Sequence, residues 1–147
     1  MAADPLTPAA VLAAVPHRPP FRFIDEIVEL DQDHIVAAYR FRADADFYRG
    51  HFPGNPITPG VLLVEAMAQA GVVAHGIYLV GGNPTMQTLF TDATVEFSGI
   101  VRPGQRVLVR GRKLVFRRRL LRSAVEMTLE DGTIVCSGTL SGMGVAA

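Results

Sequence analysis

Two kinds of apolar run alternate with polar punctuation along this 147-residue chain. The first is Val61 to Val80, which is apolar almost all the way round a helical wheel. Such a helix is either buried in a core or crosses a membrane. Glu65, Gln69 and His75 lie within this run, the only segment long enough to cross, and argue for a core helix. The second kind is shorter and rich in β-branched and aromatic residues. Phe21–Leu30, His34–Phe41, Met86–Phe97, Arg106–Phe116, Leu120–Glu130 and Thr133–Met143 read as strands. In the first of them, Phe21, Phe23, Asp25 and Ile27 should share one face. Turns are expected at Asp31-Gln32-Asp33, Gly81-Gly82-Asn83-Pro84, Arg102-Pro103-Gly104-Gln105 and Asp131-Gly132. Thr7-Pro8 predicts a capped start to a short helix over Ala9–Val15, ended by Pro16, and Ala43–Arg49 predicts a helical turn. Strands dominate, one long helix comes early, and strand and helix do not alternate. The pattern predicts an antiparallel α+β architecture in one domain spanning 1–147.

The chemistry gathers where the long helix begins. His51 to Pro59 holds Pro53, Pro56 and Pro59, which stiffen an irregular loop. Thr58 is a suitable N-cap, with Pro59 at the first helical position. The Thr58 hydroxyl is then expected to take the Val61 N–H. That leaves the Gly60 N–H as a free donor at the positive end of a helix dipole. Glu65 lies among Val64, Ala66, Met67 and Ala68, where a charged carboxyl is costly, and so it is a candidate general acid. Gln69, four residues on, shares its face and can hydrogen-bond it.

Composition narrows the classes. Hydrophobic residues make up 49% and charged residues 19%, apolar enough to suggest hidden oligomer surface. Lys plus Arg and Asp plus Glu stand at 14 each, so bulk charge predicts neither a nucleic-acid nor a membrane partner. The one cysteine, Cys136, fits a reducing compartment. The first residues lack the basic start and apolar core of a signal peptide, and the expected location is cytoplasmic. No spacing of His17, His75 or other ligand types suggests a metal site, and no cofactor motif is present. The only charge cluster is Arg110, Arg112, Lys113, Arg117, Arg118, Arg119 and Arg122, whose default reading is a solvated strand end.

The run His51-Phe52-Pro53-Gly54, Pro56, Pro59-Gly60 and Glu65-Ala66-Met67-Ala68-Gln69 resembles the signature of the 3-hydroxyacyl-acyl carrier protein dehydratases of type II fatty acid synthesis. Pro16-His17-Arg18-Pro19-Pro20-Phe21 with Asp25, Phe90–Val95, Phe97 and Pro103-Gly104 match the same family, so the resemblance covers most of the chain. It implies the hotdog fold, a curved antiparallel sheet wrapped around one central helix. It also implies His51 as general base, Glu65 as acid, and the Gly60 N–H holding the thioester oxygen, with Gln69 beside them. Glutamate at position 65 points to the non-isomerising subgroup. By the same resemblance the active sites are shared between two subunits, and dimers assemble further into a trimer of dimers. The expected partner is an acyl carrier protein, for which Arg117, Arg118 and Arg119 are a candidate docking patch. Alternatives are a hotdog thioesterase acting on the same thioesters, or a dehydratase of a specialised polyene or polyketide route.

Overall fold

A computed structural model describes residues 6–82 and 86–146 of the chain. The first helix, α1 (Pro8–Ala14), starts as the sequence predicts, with the Thr7 hydroxyl accepting the Ala10 N–H at 3.1 Å. Two short strands follow, β1 (Glu26–Leu30) and β2 (His34–Arg40), and then a 3₁₀ turn over Asp46–Arg49. The central helix α2 runs over Gly60–Leu79. Four long strands complete the chain: β3 (Met86–Phe97), β4 (Arg106–Arg117), β5 (Leu120–Leu129) and β6 (Ile134–Ala146).

All six strands form one antiparallel sheet in the order β1-β2-β4-β5-β6-β3. Every ladder except β2–β4 carries a register shift. Such bulges increase local twist and bend a sheet. The face toward α2 supplies Ile35, Ala37, Tyr39, Val107, Val109, Val125, Met127 and Leu140, which pack with Leu63, Ala66, Met67 and Val72 from the helix. This is the hotdog arrangement.

Two features depart from the sequence reading. The first strand begins at Glu26 rather than Phe21, and both Phe23 and Ile24 are buried, so the expected alternation fails there. Pro19-Pro20 cannot donate to a ladder, and the backbone of Phe21 and Phe23 bonds to a helix side chain instead. Second, the middle of α2 widens into a π-helical segment, Gln69–Ala74. Here the helix lies very close to the sheet. A methyl added at Gly71 would stand 2.7 Å from Val125 Cγ2, and one at Gly111 3.0 Å from the Gly71 Cα. The predicted breaker after α2 is seen at Gly81 and Gly82, both at positive φ; Asn83 and Pro84 lie outside the described residues.

Candidate active site

The loop that carries His51 closes on itself. Phe52 and Asn55 exchange backbone bonds around Gly54, which sits at φ +75. The Ile57 N–H donates to the His51 carbonyl at 3.0 Å. In return the His51 ring places Nδ1 3.0 Å from the Ile57 carbonyl. A carbonyl only accepts, so Nδ1 carries the proton and Nε2 keeps a lone pair. The ring also stacks on Phe52 at a centroid distance of 4.0 Å, and the His51–Phe52 peptide is cis. The loop therefore fixes the ring through Nδ1, and among the described residues no hydrogen bond engages Nε2, the nitrogen a general base would use.

Thr58 does not cap the helix. It is buried, with its hydroxyl 2.6 Å from the Tyr48 hydroxyl, while its N–H donates to the Val101 carbonyl at 2.8 Å. The cap position belongs to Pro59, whose carbonyl accepts from Leu62 and Leu63. Among the described residues nothing accepts the N–H of Gly60 or of Val61. Two donors, where the sequence predicted one, thus remain open at the start of α2. Gly60 is also sterically fixed, since a Cβ there would stand 3.2 Å from the Phe97 ring. That end of the helix is suited to an oxygen that gains negative charge.

Glu65 lies one turn further along α2. Its side chain is 31% exposed, not enclosed as the apolar neighbours suggested, so its role rests on position rather than on burial. Gln69 is completely buried and fixes it. The Gln69 Nε2 donates to Glu65 Oε2 and to the Phe21 carbonyl, each at 2.9 Å, and Oε1 accepts the Phe23 N–H at 2.7 Å. Both amide hydrogens are used, so Gln69 orients Glu65 and pins the 21–23 segment rather than offering a donor to a ligand. His17, which the sequence tied to no metal site and to no other role, has its Nε2 3.7 Å from Glu65 Oε2. No sequence spacing could have found it, because the partners are 48 residues apart.

Among the described residues no hydrogen bond or ion pair joins His51 to Glu65. His51 touches Phe52 and Ile57, whereas Glu65 touches Gln69 and His17. A cleft of about 640 Å³ among the described residues is lined by neither His51 nor Glu65. Phe21, Phe23, Tyr39, Phe47 and Leu62 give it an apolar floor, with Asp25 and Arg42 at its rim. Arg117, Arg118 and Arg119 are exposed at the β4–β5 turn. Among the described residues no three His, Cys, Asp or Glu side chains gather in a way that would hold a metal ion.

Similarity to known proteins bears on this arrangement. The chain is 36% identical to a 3-hydroxyacyl-[acyl-carrier-protein] dehydratase FabZ of Caldicellulosiruptor bescii, over 88% of this chain and 92% of the relative. It is 36% identical to the FabZ of Herpetosiphon aurantiacus, over 92% and 95%. Among solved structures, a chain of the dehydratase heterocomplex ApeI:P from Xenorhabdus doucetiae superposes with a TM-score of 0.77 at 16% identity, covering 95% of this chain and 92% of that one. The thioesterase HI1161 of Haemophilus influenzae gives 0.70 at 16%, covering 96% and 92%. These two share the fold. A FabA-like domain model matches residues 15–139, and with those relatives it establishes that the chain belongs to the FabA-like family.

Proposed function

We propose that the chain, with 1–147 as one catalytic domain, dehydrates (3R)-3-hydroxyacyl-acyl carrier protein to the trans-2-enoyl thioester in fatty acid synthesis. The observation that carries the mechanism is the His51 ring, held through Nδ1 by the Ile57 carbonyl, with no hydrogen bond to Nε2 among the described residues. Nε2 removes the proton from the carbon beside the thioester carbonyl. The carbonyl oxygen, gaining charge, is held by the open N–H groups of Gly60 and Val61. Glu65, oriented by Gln69, gives a proton to the departing hydroxyl, which leaves as water. The proton bound by His51 returns to solvent and Glu65 is reprotonated from it.

A second copy completes the site in this reading. The edge strand β3 leaves Leu89, Phe90 and Phe97 each about half exposed, and long apolar edges invite another strand. Phe97 also covers Gly60, so a partner on this edge sits next to the helix start. His51 of one chain and Glu65 of the other then serve one substrate, and dimers can assemble into a trimer of dimers. The protein works in the cytoplasm, and the carrier docks on Arg117, Arg118 and Arg119.

The test follows absorbance at the enoyl-thioester band with a thiol reagent present. Wild type should consume a medium-chain trans-2-enoyl thioester by hydration without releasing thiol. Burial pushes the Cys136 thiol up to about 11, so the reagent reads the substrate rather than the protein. His51→Ala and Glu65→Gln should each lower the rate by roughly a hundredfold to ten-thousandfold, with unchanged circular dichroism. Thiol release by wild type would make the protein a thioesterase, and active variants would move the chemistry elsewhere.

A further inference from the structure

We propose that His17 is a positioning residue for Glu65, a second donor that commits Oε2 to the protein and leaves Oε1 as the oxygen that carries the proton to the substrate. This rests on the dehydratase reading and names a residue that reading does not use. The groups facing the His17 ring are few. Glu65 lies 3.7 Å away on α2, and Phe21 stacks on the ring at 6.3 Å between centroids. The Arg18 guanidinium is turned to the carbonyls of Val15 and of His17 itself. Among the described residues no other charged group lies within ion-pair distance of the ring.

The ring's two nitrogens have unlike surroundings. Nδ1 is buried with no hydrogen-bond partner, whereas Nε2 faces the carboxyl. A proton on Nδ1 would bury an unpaired donor and, once Glu65 has given up its proton, set the Nε2 lone pair against carboxylate oxygens, both unfavourable. A proton on Nε2 points a donor at Oε2, and a small rotation of the carboxyl turns 3.7 Å into a hydrogen bond. Oε2 already accepts from Gln69. An oxygen receiving two donors does not itself bear the acidic hydrogen, so Oε1 does. The same two donors stabilise the carboxylate that forms once the proton has gone to the leaving hydroxyl. The Pro16–Phe23 segment thus grips the acid from two sides, His17 directly and Phe21 and Phe23 through Gln69.

Two variants separate a donor from a packing ring. His17→Phe keeps the stack on Phe21 and loses the donor; His17→Gln loses the stack and keeps an N–H at the Nε2 position. We expect His17→Phe to lower kcat about tenfold to a hundredfold with KM within about twofold, and His17→Gln to retain most of the rate. Wild-type activity in His17→Phe with loss in His17→Gln would make the ring structural and overturn the proposal. Nitrogen shifts of ¹⁵N-imidazole-labelled wild type near neutral pH require no variant to fold. They should show the Nε2–H form for His17 beside the Nδ1–H form for His51; an Nδ1–H His17 would overturn the proposal. A wild type without hydratase activity would sink the dehydratase reading and this inference with it, whereas an active wild type matched by His17→Phe sinks the inference alone.

Discussion

His75 is set in the protein interior, unlike the loop-borne His51. It is fully buried on α2, with Nε2 2.9 Å from the Asp31 carbonyl and Nδ1 unpartnered. Burial holds its imidazole below the ordinary value of 6.5, against the smaller upward pull of the Asp31 carbonyl. Above that value the ring is neutral both folded and unfolded, and pH has no effect through it. As pH falls below about 6.5 the unfolded chain takes a proton that the folded one refuses, so stability is lost, by at most about 1.4 kcal/mol per pH unit. His34 works in the opposite sense, raised first by its hydrogen bond to Asp31 and then by Glu29, but it lies at the surface, where solvent screens the effect. Thermal melts should therefore show Tm falling between pH 7 and 5.5, with the slope reduced in His75→Gln. Equal slopes in both proteins would contradict this account of His75. Local spacing made the Glu65–Gln69 pair and the open Gly60 donor legible in the sequence. It misassigned Thr58, because Tyr48 takes the hydroxyl that was expected to cap the helix, and it could not see His17 reach Glu65.

Of the elements, the long helix and the last four strands were the most legible, since each is long and, except between β4 and β5, bounded by strong turn residues. The π segment was not. It lies where Gly71 closely approaches Val125 and Gly111, a tertiary fit with no periodic signature. The early strand was overextended because a side-chain amide, Gln69, satisfies Phe21 and Phe23 where another strand normally would. The β4–β5 hairpin is unusual in a different way. Its two turn residues, Arg118 and Arg119, sit at φ 51 and 67, positions that favour Asn and Gly. Each arginine there costs about 1 kcal/mol, and strain kept in an exposed turn suggests a use for its charge. Replacing Arg117, Arg118 and Arg119 by Ala should raise KM for carrier-bound substrate severalfold and leave KM for a short free thioester unchanged. Equal effects on both would remove the docking role.

At the level of the whole chain, the proposed reading joins two separated groups of site residues to an apolar sheet edge. His51 and Glu65 hold separate sets of partners, and Leu89, Phe90 and Phe97 leave an apolar strip beside the helix start. The high apolar fraction led to the expectation of hidden surface, but it could not say where; the sheet order leaves β1 and β3 as the edges, and of these β3 carries the three half-exposed apolar side chains. The central claim is that one His51 and one Glu65, from two copies of the chain, remove water together. Mixing His51→Ala with Glu65→Gln protein under conditions that exchange subunits tests it most directly. Half the dimers would then be mixed and would hold one intact site of two, so hydratase activity should recover to about a quarter of wild type. Mixed dimers that form and remain as inactive as their parents would contradict a site shared between chains.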